Sequence, residues 1–386
     1  MKRRLKVFVA MSGGVDSSVA AFLLKKQGYD VVGIFMRCYN LDGCAERDAE
    51  DARRVAEKLK IPFYVWDFEE EYKEKVVDYM VQGYKKGITP NPDVMCNKEI
   101  KFGLFLKRAL LLGADYISTG HYVRRVISKS QLVIGKENPK LPITSYQLLI
   151  ARDQNKDQSY FLWTLTQEQL KHCLFPIGDY LKSEVREIAR KAGLPTADKK
   201  DSQGICFLGK VTLGKFLKNY IPEKPGAVLT TAGTKIGEHQ GAHFYTIGQR
   251  HLGIKNYELG IKGRHEIKPH YVAEKNVESN TLIVVEGDGN PALYKNEIYL
   301  CDVNFINQQL TTNNPQQVWA RVRYRQPLVS AQLIRSCKSS VVSCKLKFDH
   351  PIKFIAPGQS AVLYSKGGEL LGGGVITNVI IIMANH

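Results

Sequence analysis

Apolar and polar residues alternate along the first two hundred positions in a pattern that predicts strands and helices in turn. Short apolar runs bounded by polar residues predict buried strands at 7–11, 31–36, 63–66 and 116–119. Apolar residues at helical spacing predict helices near 16–27, 45–59, 70–86 and 99–112. Strands that alternate with helices in this way are typical of a doubly wound parallel α/β sheet.

The pattern changes after Gly209, where glycine and proline interrupt short stretches with β-strand character. This change predicts a small β-rich module, followed by a last module that forms a β-barrel. We therefore expect three domains, at 1–211, 212–275 and 276–386.

The first predicted strand ends in Ser12-Gly13-Gly14, and helical spacing resumes at Asp16. A tight turn from strand to helix presents backbone N–H groups and a helix N-terminus, which together suit an anion. The alternative is an ordinary turn in which a serine or aspartate caps the helix. Met36 is the last residue of a second predicted strand, and Gly120 follows a third. Ligands of such sheets bind beyond the carboxyl ends of the strands.

Charge and cysteine content narrow the class of protein. The 386 residues carry a formal net charge of +17, which favours a polyanionic partner, either nucleic acid or an anionic membrane surface. No apolar run approaches the roughly 18 residues that a membrane-spanning helix needs, so we expect a cytoplasmic protein with no membrane partner. The eight cysteines include no C-x-x-C pair, so we predict no metal site.

Two cysteines lie in segments that also contain proline or glycine, aspartate and lysine. Cys96 in NPDVMCNKEIKF is predicted just before a helix that starts near Glu99, and Cys206 follows two lysines in KKDSQGICFLG. A helix N-terminus and nearby lysines lower a thiol pKa and favour the reactive thiolate. A cysteine is more commonly a small buried apolar residue, and for these two both interpretations stay open. We interpret the other six as structural.

The segment SGGVDS resembles the nucleotide loop of the N-type ATP pyrophosphatases. Together with further segments in the same order, it resembles the bacterial tRNA 2-thiouridylases. The segments are NPDVMCNKEIKF, ADYISTGHY, KDQSYFL, KKDSQGICFLG, GEHQGAHFYTIGQR and PGQSAV. The resemblance runs from Lys6 to about Gly374 and is weak at 125–146, 255–270 and 375–386.

The resemblance implies an ATP-dependent tRNA uridine 2-sulfurtransferase. ATP, with its Mg²⁺, would adenylate O2 of the wobble uracil, and sulfur would then replace that oxygen with release of AMP and pyrophosphate. Cys206 would carry the sulfur as a persulfide received from a relay protein, and Cys96 would form a transient disulfide with Cys206. Asp93 would be the general acid or base.

The resemblance also implies two sets of binding residues. Those predicted to contact ATP are Ala10, Met11, Ser12, Gly13, Gly14, Val15, Asp16, Ser17, Met36 and Gly120. Those predicted to contact tRNA are Asn91, Pro92, Asp93, Lys156, Asp157, Gln158, Arg323 and Tyr324. The alternation in RVRYR additionally predicts that Arg321, Arg323 and Arg325 lie on one face of a strand, which favours phosphate contact over a merely solvated face.

Two other functions fit parts of this pattern. The first is an ATP pyrophosphatase that acts on a small molecule, which would need neither a basic barrel nor paired cysteines. The second is a non-catalytic RNA-binding protein whose nucleotide fold is inactive. Cleavage of ATP that depends on tRNA and a sulfur donor would separate both from the sulfurtransferase.

Overall fold

The computed structural model describes residues 3–39, 43–132, 141–201, 211–253, 269–307, 314–336 and 343–377. Its helices are α1 (Val15–Lys26), α2 (Cys44–Leu59), α3 (Glu69–Tyr72), α4 (Asp78–Lys85), α5 (Pro92–Met95), α6 (Leu106–Leu111), α7 (Gln167–Lys171), α8 (Lys182–Lys191) and α9 (Leu213–Leu217). Its strands are β1 (Lys6–Ala10), β2 (Asp30–Arg37), β3 (Phe63–Asp67), β4 (Tyr116–Ser118), β5 (Arg124–Leu132), β6 (Leu141–Leu149), β7 (Cys173–Leu174), β8 (Gly226–Thr230), β9 (Lys235–His239), β10 (His270–Asn276), β11 (Thr281–Glu286), β12 (Tyr294–Phe305), β13 (Gln316–Arg321), β14 (Val329–Ser336), β15 (Ser343–Lys353), β16 (Ser360–Tyr364) and β17 (Glu369–Thr377). None of the helices in these ranges is both long enough and apolar enough to cross a bilayer.

The N-terminal sheet confirms the predicted α/β architecture. Its five strands are in the order β3-β2-β1-β4-β7, and every pair is parallel. Side chains of β1 alternate between two apolar layers, because successive residues of a strand point to opposite faces. Phe8 packs with Met80 and Phe105 on one face, and Val9 packs with Val19 and Val55 on the other. Helices therefore cover both faces of the sheet.

The predicted helix near 99–112 starts earlier than its apolar spacing indicated. Asn91 accepts a hydrogen bond from the Val94 N–H at 3.3 Å, and Pro92 is the first helical residue. From there α5 continues through a π-helical stretch, Cys96–Phe105, into α6. The prediction of a start at Glu99 was wrong, because an Asn cap followed by proline begins a helix without apolar periodicity.

The second sheet has the order β10-β11-β8-β9. The predicted boundary between residues 275 and 276 falls inside β10 (His270–Asn276). Antiparallel pairing joins β10 to β11, and β11 runs parallel to β8, so all four strands belong to one module. The change to the third sheet comes between β11 and β12 instead.

The third sheet closes into a barrel of six strands in the order β12-β15-β14-β13-β16-β17, with β17 pairing back to β12. The predicted C-terminal β-barrel is therefore confirmed. The β5–β6 hairpin, which lies within the N-terminal module in sequence, extends this sheet by pairing at Leu148 and Leu149 with β17. The N-terminal module and the barrel thus share one continuous sheet.

A buried ion pair joins the N-terminal module to the barrel. Arg321 Nη1 lies 2.7 Å from Asp157 Oδ2, and their side chains are 10% and 1% exposed. Around the pair, the Tyr160 hydroxyl donates to the Ser360 carbonyl at 2.8 Å, and Trp163 Nε1 donates to the Ser360 hydroxyl at 3.0 Å. These contacts fix how the barrel sits against the sheet.

We expect Arg321→Met to lower the free energy of unfolding by about 3–5 kcal/mol, because removing one partner leaves a buried carboxylate without its counter-charge. Arg325→Met is the matched control, since Arg325 lies in the turn that follows β13 and its side chain is exposed. Denaturant unfolding of both variants measures the effect. Equal stability of the two variants would contradict the assigned role of the pair.

Candidate active site

The predicted ATP residues meet at the topological switch point of the first sheet. β1 lies between β2 and β4, and the chain passes to one side of β1 before it returns to the other. The loops after β1 and β4 are therefore adjacent at the carboxyl edge of the sheet, where such folds form their ligand crevice.

The loop from Ser12 to Ser17 holds itself in place. Ser17 Oγ accepts a hydrogen bond from the Ser12 N–H at 3.1 Å and lies 3.3 Å from Ser12 Oγ. Gly13 has φ +71°, and a Cβ there would lie 2.2 Å from the Asp48 carbonyl oxygen. The N-cap of α1 is Gly14, which has no side chain to cap the helix. The alternative of a serine or aspartate N-cap is thereby excluded, and the first-turn N–H groups suit an anion.

Gly120 packs directly against this helix N-terminus. A Cβ on Gly120 would lie 2.6 Å from the Ser17 backbone nitrogen and 2.8 Å from the Asp16 carbonyl carbon. The two backbones can approach this closely only because position 120 has no side chain. Met36, near the end of β2, packs against the same apolar cluster as Ala10. The structure thus brings the predicted ATP residues together.

A network of charges surrounds Asp16. Lys182 Nζ donates to both carboxylate oxygens of Asp16, at 2.7 and 2.8 Å, and the Tyr122 hydroxyl donates to Oδ1 at 2.8 Å. Lys182 Nζ also lies 2.9 Å from Asp201, which pairs with Lys156 at 2.7 Å. Partial burial raises the pKa of Asp201, but the hydrogen bonds from Lys156 and Lys182 outweigh it and lower that pKa to about 2.

Sequence reasoning missed Tyr122, Lys182 and Asp201. Lys182 begins the amphipathic helix α8 and Asp201 follows two lysines, so each matches an ordinary surface residue in the sequence. Only folding brings them to Asp16, which is 166 residues from Lys182 along the chain.

The second cluster of predicted residues lies on α5 and the π-helical stretch after it. Cys96 is buried, 4% exposed, and follows the last residue of α5. The prediction that it precedes a helix was wrong, since Asn91 caps the helix five residues earlier. Cys96 forms no disulfide within the described part of the chain. Cys206 and its predicted disulfide lie outside the described residues.

Asp93 is in the first turn of α5, three residues before Cys96. Burial raises the pKa of Asp93 above its ordinary value, while the nearby charge of Lys101 acts in the opposite direction. A carboxyl group with a raised pKa is better matched to proton transfer near neutral pH than an exposed aspartate. The role of Asp93 as an acid or base stays a prediction.

The two clusters are connected through aromatic packing. The Phe102 ring, in the π-helical stretch that contains Cys96, lies 5.9 Å from the ring of His121, the residue after Gly120. Asn97, next to Cys96, donates to the Phe161 carbonyl at 3.3 Å. The helix that contains Cys96 thus contacts the loop after β4, which bounds the predicted ATP site.

The residues predicted to contact tRNA are in varied surroundings. Lys156 pairs with Asp201, and Gln158 accepts a hydrogen bond from the Tyr122 N–H at 3.0 Å. Asp157 is 2% exposed and is held by Arg321 and by the Ser159 hydroxyl at 2.9 Å. The contact made by the Asp157 side chain in this structure is therefore internal.

The predicted stripe of three arginines does not form. β13 ends at Arg321, whose side chain is buried against Asp157. Arg323 donates to the Ile247 carbonyl and lies over the Phe354 ring, while Arg325 is exposed over Tyr324, with 5.2 Å from its guanidinium carbon to the ring centre. The prediction of one strand face was wrong because the strand stops before the alternation is complete. Tyr324 packs against Phe161 with ring centres 4.5 Å apart.

Family models match in the order of the three modules. Residues 5–210 match a tRNA methyl transferase HUP domain, residues 214–286 a tRNA methyl transferase PRC-barrel domain, and residues 295–376 an aminomethyltransferase β-barrel domain. The tRNA-specific 2-thiouridylase MnmA of Alkaliphilus oremlandii is 44% identical over 384 residues, which cover 97% of this chain and 98% of that protein.

The chain belongs to the tRNA-specific 2-thiouridylase family. The 2-thiouridylase of Bacillus licheniformis is 45% identical and covers 97% of this chain and 95% of its own length. Among solved structures, an ATP-bound complex of a 4-thiouridine synthetase with RNA covers 56% of this chain and 50% of that chain at 16% identity, with a TM-score of 0.33. That score is too low to add to the assignment.

The close packing at Gly120 gives a direct test of the predicted ATP site. We expect Gly120→Ala to weaken binding of a fluorescent ATP analogue and to lower the free energy of unfolding by about 1–3 kcal/mol, because the added Cβ must push α1 away from β4. Gly289→Ala is the control, since a Cβ there meets nothing within 4 Å. If both variants bind the analogue like the wild type, the loops do not form the nucleotide site.

Proposed function

We propose that this protein thiolates C2 of the wobble uridine in tRNA, using ATP to activate the base. The observation that carries the proposal is the contact of Phe102 with His121 at 5.9 Å, which joins the Cys96 helix to the loop at Gly120. An ATP site in packing contact with the helix of a cysteine suits a reaction that first activates an oxygen of the base and then replaces it with sulfur. Membership of the 2-thiouridylase family supports the same reaction.

In the proposed first step, the loop from Ser12 to Ser17 and the N-terminus of α1 hold the triphosphate of ATP, which brings its own Mg²⁺. Within the described ranges, no three or more His, Cys, Asp or Glu side chains are grouped so that they could hold a metal ion. Asp93 accepts a proton from the uracil ring, so that O2 becomes a better nucleophile. O2 attacks the α-phosphorus, pyrophosphate leaves, and O2 carries AMP.

In the second step, the outer sulfur of a Cys206 persulfide attacks C2, and AMP leaves with the former O2. The Cys96 thiolate then attacks the Cys206 sulfur, which breaks the bond to the transferred sulfur and forms the Cys96–Cys206 disulfide. A thiol reductant supplies two electrons to regenerate both cysteines. A relay protein delivers the next sulfur.

The tRNA partner accounts for the net charge of +17. A target base inside a stacked anticodon cannot reach a buried thiol, so the uridine must be flipped toward Asn91, Pro92 and Asp93. Lys156, Gln158, Arg323 and Tyr324 remain the proposed tRNA contacts outside that pocket. Because tRNA and a reducing thiol pool are both cytoplasmic, we place the reaction in the cytoplasm.

Methyl transfer is the second candidate, because the descriptions of two matching family models name it. Mass spectrometry of nucleosides from treated tRNA separates the two reactions, since exchange of oxygen for sulfur and addition of a methyl group change the mass differently. Labelled sulfur in the product, dependent on ATP, supports thiolation. Label from a methyl donor would support the alternative.

The same assay tests Cys96. We expect Cys96→Ser to accept labelled sulfur on Cys206 but to lose transfer to tRNA, because nothing then cuts the remaining sulfur–sulfur bond. Cys301→Ser is the control, since Cys301 lies on β12 of the barrel. Without reductant, the wild type should stop after about one turnover with Cys96 and Cys206 joined. Continued turnover by Cys96→Ser would refute the two-cysteine mechanism.

The proposed role of Asp93 predicts that the reaction rate depends on pH. If the carboxylate is the base, activity falls as the pH drops through the pKa of Asp93, which gives the pH profile an acidic limb. Because burial raises the pKa of Asp93, this limb lies at a higher pH than the ordinary pKa of an aspartate would give. We expect Asp93→Asn to lower the rate about 10²–10⁴-fold and to abolish the acidic limb. Asp78→Asn, at an exposed position of α4, should keep the wild-type profile. An acidic limb that persists in Asp93→Asn would assign the proton transfer to another group.

A further inference from the structure

Residues 196–201, here called the strap, lie across the helices that build the nucleotide site. The Thr196 hydroxyl donates to Ser18 Oγ on α1 at 2.9 Å. Lys199 Nζ donates to Asp48 at 2.7 Å and to Asp51 at 2.5 Å, both on α2. The strap ends at Asp201, and in sequence it leads toward Cys206. It is therefore anchored on the nucleotide side of the site.

Lys182 connects the strap to the nucleotide loop and has no N–H to spare. An ammonium group has three N–H donors. Three carboxylate oxygens lie close to Lys182 Nζ: Asp16 Oδ1 and Oδ2, at 2.7 and 2.8 Å, and Asp201 Oδ1, at 2.9 Å. Its side chain is 12% exposed. Any phosphate oxygen that binds this ammonium group must displace one of the two carboxylates.

The structure indicates which carboxylate gives way. Asp201 keeps two further cations, Lys156 at 2.7 Å and Arg186 at 2.8 Å, if Lys182 leaves it. Asp16 would keep only the hydrogen bond from the Tyr122 hydroxyl among its described partners. Losing Lys182 therefore costs Asp201 less than it costs Asp16.

We propose that Lys182 couples nucleotide binding to the strap. The inference rests on the proposed ATP site at Asp16. When the triphosphate is bound, one of its oxygens takes the third N–H of Lys182, and Asp201 is released to Lys156 and Arg186. Asp201, at the end of the strap, is then held by Lys156 and Arg186 alone. Arrival of ATP therefore loosens the chain just before the segment that contains Cys206, the proposed sulfur carrier.

Coupling of this kind is reciprocal, so a change at Asp201 must alter ATP affinity. In the wild type, ATP competes with Asp201 for Lys182. Asp201→Asn weakens the competitor, and we expect it to tighten binding of a non-hydrolysable ATP analogue by about twofold to fivefold. A residue that merely supported the fold would leave the affinity unchanged or weaken it.

The first measurement is a double-variant cycle with this analogue and the full chain. Asp201→Asn should tighten binding in the wild-type background and should have no effect in the Lys182→Met background, where the shared ammonium group is gone. Lys191→Met is the matched control, because Lys191 lies on the same helix and pairs with Glu187 at the surface. If Asp201→Asn still tightens binding of the analogue in the Lys182→Met background, the tighter binding is a general effect of removing negative charge, and the coupling is refuted.

The second measurement does not depend on the Lys182 variant folding. The N–H of Ala197 and that of Lys199 are hydrogen-bonded to carbonyls in the wild type, so their hydrogen exchange reports the state of the strap. We expect the analogue to speed exchange in the wild-type strap and to change it much less in Asp201→Asn. Bound analogue with unchanged strap exchange in the wild type overturns the inference. Absence of analogue binding to the wild type would instead refute the proposed ATP site.

Discussion

The site depends on one close approach of two backbones, Gly120 against the N-terminus of α1. A Cβ on Gly120 would lie 2.6 Å from the Ser17 nitrogen, so no side chain fits between the two segments. This contact sets where α1 begins, and Asp16 in its first turn meets Lys182 and Tyr122 as a result. The next residue, His121, reaches the Phe102 ring, so the same loop also positions the helix of Cys96.

Much of the catalytic module could be predicted because its signals are local. β1 is an apolar run in the sequence because it is buried on both faces. The turn after it needs a positive φ, and the glycine at position 13 that permits it is visible in the sequence. The barrel was predictable as a class from its short strands and turns. Its boundary was not, because β10 is held in the second sheet by β11, and such pairing leaves no mark at residue 275.

The remaining errors have two sources, a partner distant in sequence and a helix cap that has no apolar spacing. The alternation around Arg321 looks like an exposed strand face, but a carboxylate 164 residues away draws its side chain inside. The helix of Cys96 begins seven residues before its apolar spacing does, because capping by Asn91 and the fixed φ of Pro92 start it. The roles of individual site residues came from resemblance, and the charges around Asp16 came only from the structure.

The joint between the sheet and the barrel has a consequence for synthesis of the chain. Tyr160 bonds to Ser360, which lies 200 residues later. At ordinary rates of translation, Tyr160 is made roughly 10–40 s before that partner exists. During this interval Asp157, Tyr160 and Trp163 lack the barrel atoms that later cover them. A nascent or truncated chain therefore exposes its interdomain face, and the catalytic module reaches its final form only when the last strands have been made.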